Sequence, residues 1–144
     1  MIHVLRLAAG GSRGPLSLES CRQNPEISRY LDRWSPEQIG LICADQGSDI
    51  GAAWLTELPA DEPGYGFVAP SIPELTIGIA PHFQGAGHGG YLLASLLDAA
   101  TRAGVRSISL SVSDDNEPAI AMYQRAGFAP VGHRDAATVM LRVA

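Results

Sequence analysis

No lysine occurs anywhere in the 144 residues; all ten basic side chains are arginine. That absence excludes a Walker-type phosphate loop, which needs a lysine ammonium to reach the phosphates; the missing lysine itself is read as genome composition. There is no basic run either. The net charge is −5, and a nucleic-acid partner, which demands a cationic surface, is not expected. Cysteine is scarce: Cys21 and Cys43 lie far apart with no C-x-x-C partner, which predicts packing roles in a reducing, cytoplasmic compartment rather than a disulfide scaffold. No apolar run approaches the ~18–20 residues of a membrane span. The N-terminal MIHVLRLAAGG carries an arginine inside a short apolar run and lacks the pattern of a signal peptide, so a soluble protein is expected. His3 and His133 have no ligand-like spacing, and no metal is expected.

What is present is an ordinary globular composition, 46% hydrophobic and 17% charged, which predicts one domain over 1–144 with its own core. Ile2–Ala9 reads as a first strand. Leu16 to Trp34 allows one or two short helices, interrupted by Pro25 and by Ser35-Pro36. Gln46-Gly47-Ser48 separates Leu41–Ala44 from Ile50–Leu55, a hairpin signal. TELPADEPGYGFVAPSIP follows, with four prolines and two glycines. That is too broken for regular structure, and excursions of this length are often functional.

In ELTIGIAP the apolar Leu75, Ile77 and Ile79 alternate, giving a strand ended by Pro81. Leu92, Leu93, Leu96, Leu97, Ala100 and Ala103 share one helical face between Gly87 and Ala103, and Gly104 supplies the stop. In SISLSVS, Ile108, Leu110 and Val112 face one side and four serines the other; such small side chains would admit a helix or narrow ligand close to the backbone. Asp114-Asp115-Asn116 offers helix caps before Pro118. The helix runs to Ala126, Gly127 ends it, and Thr138–Val143 closes the chain as a strand. The order strand, helices, three strands, helix, strand, helix, strand is mixed α/β around a central sheet.

The glycine-rich IAPHFQGAGHGG admits two readings. Gly85, Gly87 and Gly90 satisfy G-x-G-x-x-G, the dinucleotide spacing, and Asp114 nearly meets the requirement for a ribose-binding acid. Against this, Pro81-His82-Phe83-Gln84 separate the strand from Gly85, and only 54 residues follow Gly90, too few for a doubly wound domain. From Gln84 the same letters spell Q-x-x-G-x-G, a loop that presents unpaired N–H groups to one pyrophosphate at a helix N-terminus. Here Gly85 to Gly90 provide the donors, glycine removes the Cβ atoms that would block approach, and His88 is either a further donor or a surface histidine.

IGIAPHFQGAGHGGYLLASLLDAA followed by LSVSDDNEPAIAMYQRAGFAPVG resembles the GNAT superfamily of acyl-CoA-dependent N-acetyltransferases over roughly Glu74 to Gly132, with Ile50-Gly51 extending the likeness. The resemblance implies a single GNAT-like domain with a twisted mixed sheet of six to seven strands and about four helices. Its fourth and fifth strands, counting Ile2–Ala9 as the first, would splay to admit the cofactor. It further implies that the strand through Ile77 and Ile79 offers main-chain groups to the pantetheine and thioester. Gln84, Gly85, Ala86, Gly87, His88, Gly89 and Gly90 would hold the pyrophosphate of acetyl-CoA or coenzyme A, with a contact from Asn116. Tyr123 would protonate the leaving thiolate. Many relatives dimerise through the sheet edge or C-terminal strands, so a homodimer is among its implications.

Acetyl transfer to an amine needs a base, because an alkyl ammonium with a pKa near ~10 is no nucleophile. It also needs donors for the oxyanion and an acid for a thiolate of pKa ~8.5. Tyr123 lies on the apolar face of its helix and is either a packed aromatic or that acid; Asn116 is a cap, a cofactor contact, or both. One branch of the family has Glu where this chain has Ser111, which cannot be a base. Glu74 opens the fourth strand, where other members place a carboxylate working through water; it is nominated as the base, beside the alternative of an exposed strand-end glutamate. Glu57, Tyr65 and Phe67 of the Pro/Gly-rich stretch, which also carries Asp61 and Glu62, together with Trp34, are candidates to border a site for a cationic amine, small-molecule or peptide; a solvated acidic loop is the alternative. Trp54 is expected in the core. The function expected is N-acetyl transfer from acetyl-CoA to a primary amine by direct attack in a ternary complex, and the alternative is a non-catalytic acyl-CoA-binding module.

Overall fold

In the computed structural model, which describes residues 17–144, Asn24 ends one helix and starts the next. Ser17 caps α1 (Leu18–Gln23) by accepting the Ser20 N–H, and Asn24 caps α2 (Pro25–Asp32) by accepting that of Glu26 at 3.0 Å. Pro25 sits in the first turn, where a missing N–H costs nothing. The strand expected at Ile2–Ala9, and His3 with it, lies outside the described residues.

β1 (Gly40–Asp45) and β2 (Ser48–Thr56) form the expected hairpin. Asp45 faces Ser48, leaving a two-residue turn in which Gln46 and Gly47 both have positive φ, 48° and 81°, as a type I′ turn requires. β3 (Glu74–Ile79) follows the irregular stretch 57–73, and a single 3₁₀ turn (Pro81–Phe83) leads to α3 (His88–Arg102). Then come β4 (Ser107–Ser113), α4 (Glu117–Arg125), β5 (Ala129–Arg134) and β6 (Ala137–Val143). Gly104 and Gly127, at φ 82° and 95°, take the left-handed conformation past the two helices they terminate. Among the described residues no helix is long and apolar enough to cross a membrane.

The six strands of the described residues are ordered β1-β2-β3-β4-β6-β5. All pairs are antiparallel except β3 with β4, which run parallel and share one register pair, Glu74 with Ser109. This is the expected splay: the strands touch at their starts and part beyond. A mostly antiparallel sheet is also incompatible with the doubly wound parallel domain of the dinucleotide reading.

One closing strand was expected after the last helix and the structure has two. Pro130, three residues past the Gly127 that ends α4, takes part in β5, opposite Met140. An edge strand has one unpaired side and tolerates a residue without an N–H. All six β5 residues are exposed, so no alternation in the sequence marks it.

Side chains alternate across the sheet. Leu55, Leu75, Ile108, Leu110 and Met140 face α3 and α4, where Leu93 and Leu96 are fully buried; burying each such leucine stabilises the fold by about 2 kcal/mol. The other face packs Ala52 and Trp54 against Cys21, Ile27 and Tyr30 of α1 and α2, with Trp54 in the core as expected.

Candidate functional site

The glycine loop is built to expose amides. Gly85 and Gly87 adopt φ 80° and 90°, which a side chain would resist. A Cβ on Gly85, Gly87 or Gly90 would meet nothing within 4 Å among the described residues, so the space beside these three backbones is open. Gly87 is the N-cap of a 15-residue helix and supplies no side-chain cap. Among the described residues the N–H groups from Gly85 to Gly90 donate no hydrogen bond. Consecutive unpaired donors at the positive end of a helix dipole form an anion site whose donor set suits a diphosphate. Ala86 is exposed between them, while Gly89 faces inward, its Cβ position 3.6 Å from Met122 Sδ. The His88 ring is edge-on to Phe83 at 6.3 Å. Gln84 turns back, donating from Nε2 to the Ile79 carbonyl at 2.9 Å; its side chain fastens the end of β3.

Peptide directions along β3 follow from two bonds. The Ala80 N–H donates to the Ile50 carbonyl at 2.7 Å, and the Ser109 N–H to the Pro73 carbonyl at 3.0 Å. Alternation then turns the main-chain groups of Ile77 and Ile79 toward β4, where the ladder has ended after Glu74. Those groups therefore border the gap between the parted strands.

On α4, Tyr123 is only 8% exposed and meets Phe128 edge-on at 5.8 Å. Its hydroxyl makes no hydrogen bond among the described residues, and burial pushes its pKa up to about 12. The phenol is therefore neutral at pH 7 and keeps its proton. Asn116 caps α4 through Oδ1, which accepts the Ala119 N–H at 3.4 Å. Asp114 accepts hydrogen bonds from His133 (2.5 Å) and Thr138 (2.7 Å); the bond to His133, then that to Thr138, holds its pKa below the usual carboxylate value. It pins the end of β4 to the β5–β6 hairpin.

Glu74 is not an exposed strand-end residue. It is 1% exposed, beneath the 57–73 stretch. Its Oε1 accepts from the Tyr30 hydroxyl and from the Gly66 N–H, both at 2.8 Å. Its Oε2 is buried without a hydrogen bond, as is Oγ of Ser109. Burial drives the Glu74 pKa up, against the opposing pull of the Tyr30 bond, the Gly66 and Gly64 amides and the charge of Arg134.

The serine face of β4 admits this loop and not a helix. A Cβ on Gly66 would lie 2.6 Å from the Leu110 carbonyl carbon and 2.9 Å from the Ser111 nitrogen. On Gly64 it would strike the Glu74 carboxylate and the Tyr30 hydroxyl. Tyr65, between these glycines, is 37% exposed, stacks on Tyr30 at 6.3 Å and donates to Glu26 at 3.2 Å. Phe67 is half-buried and Glu57 exposed beyond β2. Glu62 pairs with Arg33. Trp34 is half-buried against Gly40 and the α1–α2 side of the core, its indole N–H without a partner. The structure thus brings Tyr65 and Glu74 together through Tyr30 and leaves Trp34 at the β1–β2 end. Tyr30 and the two glycines went unrecognised in the sequence: a tyrosine on the apolar face of α2 reads as packing, and G-Y-G within a proline-rich stretch reads as a turn. Among the described residues no group of three or more His, Cys, Asp or Glu side chains is placed to hold a metal ion.

The sequence matches the acetyltransferase (GNAT) family over residues 15–128. It is 30% identical over 122 residues to a mycothiol acetyltransferase of Paenarthrobacter aurescens, an alignment covering 84% of this chain and 36% of that one. The chain spans about a third of the length of the curated relatives it matches. Among solved structures, the ribosomal-protein-S18-alanine N-acetyltransferase of Escherichia coli superimposes with a TM-score of 0.69 at 19% identity, covering 99% of this chain and 86% of that one. The PaiA N-acetyltransferase of Thermoplasma acidophilum, in complex with coenzyme A, gives 0.68 at 18% identity, with 99% and 90% covered. With a family match over most of its length, on a sheet that parts between β3 and β4, this chain belongs to the GNAT family of acetyltransferases.

Proposed function

We propose that the chain transfers an acetyl group from acetyl-CoA to a primary amine by direct attack in a ternary complex. The observation that carries this reading is the run of unpaired amides from Gly85 to Gly90, set at the end of β3 where the gap with β4 opens. Acetyl-CoA, held there by its pyrophosphate, supplies an activated acyl thioester. The Ile77 and Ile79 main chain orients the acyl arm, and an N–H at that edge is the donor for developing negative charge on oxygen.

Tyr123, kept neutral by burial, gives its proton to the departing sulfur. Glu74, whose raised pKa brings it nearer to neutrality, takes the proton of the incoming ammonium by relay, since its own carboxylate is enclosed. Tyr65, with the Glu26 carboxylate beside it, borders the acceptor entrance and favours a cation. One relative is named for mycothiol and one structural neighbour for a ribosomal-protein alanine, so the acceptors to try are small amines and N-terminal peptides alike.

A second reading, a non-catalytic acyl-CoA-binding module, is favoured by Ser111 in place of a glutamate and by the enclosure of Glu74. Thiol release from acetyl-CoA across an amine panel decides between them. Release with any amine supports transfer; tight binding with no release on any of them supports the module; no binding contradicts both.

A further inference from the structure

Tyr30 is held at both ends. Its carbonyl accepts from the Trp54 indole at 2.8 Å and from the Thr56 hydroxyl at 3.1 Å. Its own hydroxyl accepts the Tyr65 N–H at 2.7 Å, and its ring lies nearly parallel to that of Tyr65, 12° apart. The hydroxyl proton therefore points to one acceptor, Glu74 Oε1, which the Gly66 N–H also approaches. Among the described residues Oε1 accepts two hydrogen bonds and Oε2 none, although Gly64 lies close to the carboxylate and its amide favours the anion. Ser109, the register partner of Glu74 and fully buried, has a hydroxyl with hydrogen-bonding capacity to spare.

We propose that Tyr30 is a positioning residue that commits Glu74 to take up a proton on Oε2 and sets the pH at which it does so. The proposal rests on reading Glu74 as the base. When the amine is deprotonated, an N–H bond of the ammonium breaks, the electron pair stays on nitrogen, the proton passes to a relaying water, and a proton released by that water ends on Oε2, which accepts no hydrogen bond among the described residues. A donor on Oε1 stabilises the anion, so Tyr30 lowers the pH at which the carboxylate forms, and burial opposes it.

Among the described residues the groups that bear on Glu74 are few. From α2 there is Tyr30, from β5 the charge of Arg134, and from the 57–73 stretch the main-chain amides of Gly64 and Gly66. Thr56 and Ser109, its register partners on β2 and β4, do not titrate. Among the described residues Tyr30 is thus the side-chain donor that can be removed without changing a charge. Because its hydroxyl also accepts from Tyr65, the same residue ties the state of the carboxylate to the loop.

The test is infrared difference spectroscopy of the free protein as a function of pH, with the protonated-carboxyl band assigned to Glu74 by its loss in Glu74→Gln. Tyr30→Phe removes one donor to the anion and should raise the midpoint by about one to two pH units. Replacing Tyr30 with 3,5-difluorotyrosine keeps the shape, makes the phenol a stronger donor and should lower the midpoint; it also covers the case in which Tyr30→Phe folds poorly. A rise with Tyr30→Phe and a fall with difluorotyrosine support the proposal, and the reverse pair of shifts overturns it. A midpoint that stays in place, or moves the same way in both, overturns it. The titration uses neither coenzyme A nor an acceptor, so its failure is distinct from a failure of acetyl transfer, which thiol release reports.

Discussion

Tyr30 donates its hydroxyl proton to Glu74 Oε1 at 2.8 Å, joining α2 to the first residue of β3 across 44 positions of sequence. The contact lies beneath the Gly64-Tyr65-Gly66 segment, whose Tyr65 and Gly66 amides reach the same two groups. A buried carboxylate, a phenol and two backbone donors fasten the 57–73 stretch to the sheet, where the parallel strands make their single paired contact.

The buried carboxylate predicts an unusual pH dependence of stability. Its folded-state pKa is raised, chiefly by burial. The native state therefore binds the proton more tightly than the unfolded chain, whose glutamate titrates near ~4.3. The resulting stabilisation is fully present below that value and is lost as pH rises through the folded-state pKa. Urea midpoints of Glu74→Gln should decline less than those of the native protein over that interval. Parallel curves would show that Glu74 titrates normally. The same substitution should lower the rate of acetyl transfer most near neutral pH, and an unchanged pH–rate profile would remove Glu74 from the mechanism.

Tyr123→Phe tests the acid. Loss of a positioned proton donor is expected to cost roughly 10²–10⁴-fold in kcat. Affinity for coenzyme A should hold, because the ring still packs on Phe128. A kcat within a few-fold of the native value would return Tyr123 to a packing role.

Gly87→Ala tests the donor loop. At φ 90° the new side chain is strained by about 1–2 kcal/mol, yet its Cβ meets no protein atom. The fold should survive, and calorimetry should show coenzyme A binding at least about tenfold weaker, as expected from a strained donor loop. Unchanged affinity would mean that the diphosphate lies elsewhere.

Gly66→Ala tests the loop anchor. Its Cβ would sit 2.6 Å from backbone that cannot swing aside, so the segment must lift, at a cost of roughly 1–3 kcal/mol. Amide exchange at Tyr65 and Gly66 should accelerate together and the melting temperature should fall. Protection retained at both amides would show that the close approach is not required.

The parts that position the candidate site were legible where one physical rule acts locally. Alternating Leu75, Ile77 and Ile79 mark β3 because a strand shows its side chains to opposite faces. The leucines of α3 recur at helical spacing, and Gly104 and Gly127 stop two helices because they alone accept the left-handed turn cheaply. What escaped depends on distant partners. A glutamate opening a strand reads as exposed; only Tyr30 and two glycine amides, remote in sequence, let it be buried. β5 escaped because its residues are solvent-facing on both sides and include Pro130. The serine face of β4 announced a close neighbour without naming it, and the neighbour is Gly66.

The most direct test of the central claim is an NMR titration of ¹⁵N-labelled protein with coenzyme A, following each backbone amide. Saturable shifts concentrated at Gly85 through Gly90, with smaller ones at Ile77 and Ile79, are the predicted result. Saturable binding that leaves those amides unmoved, or no binding at all, contradicts the account.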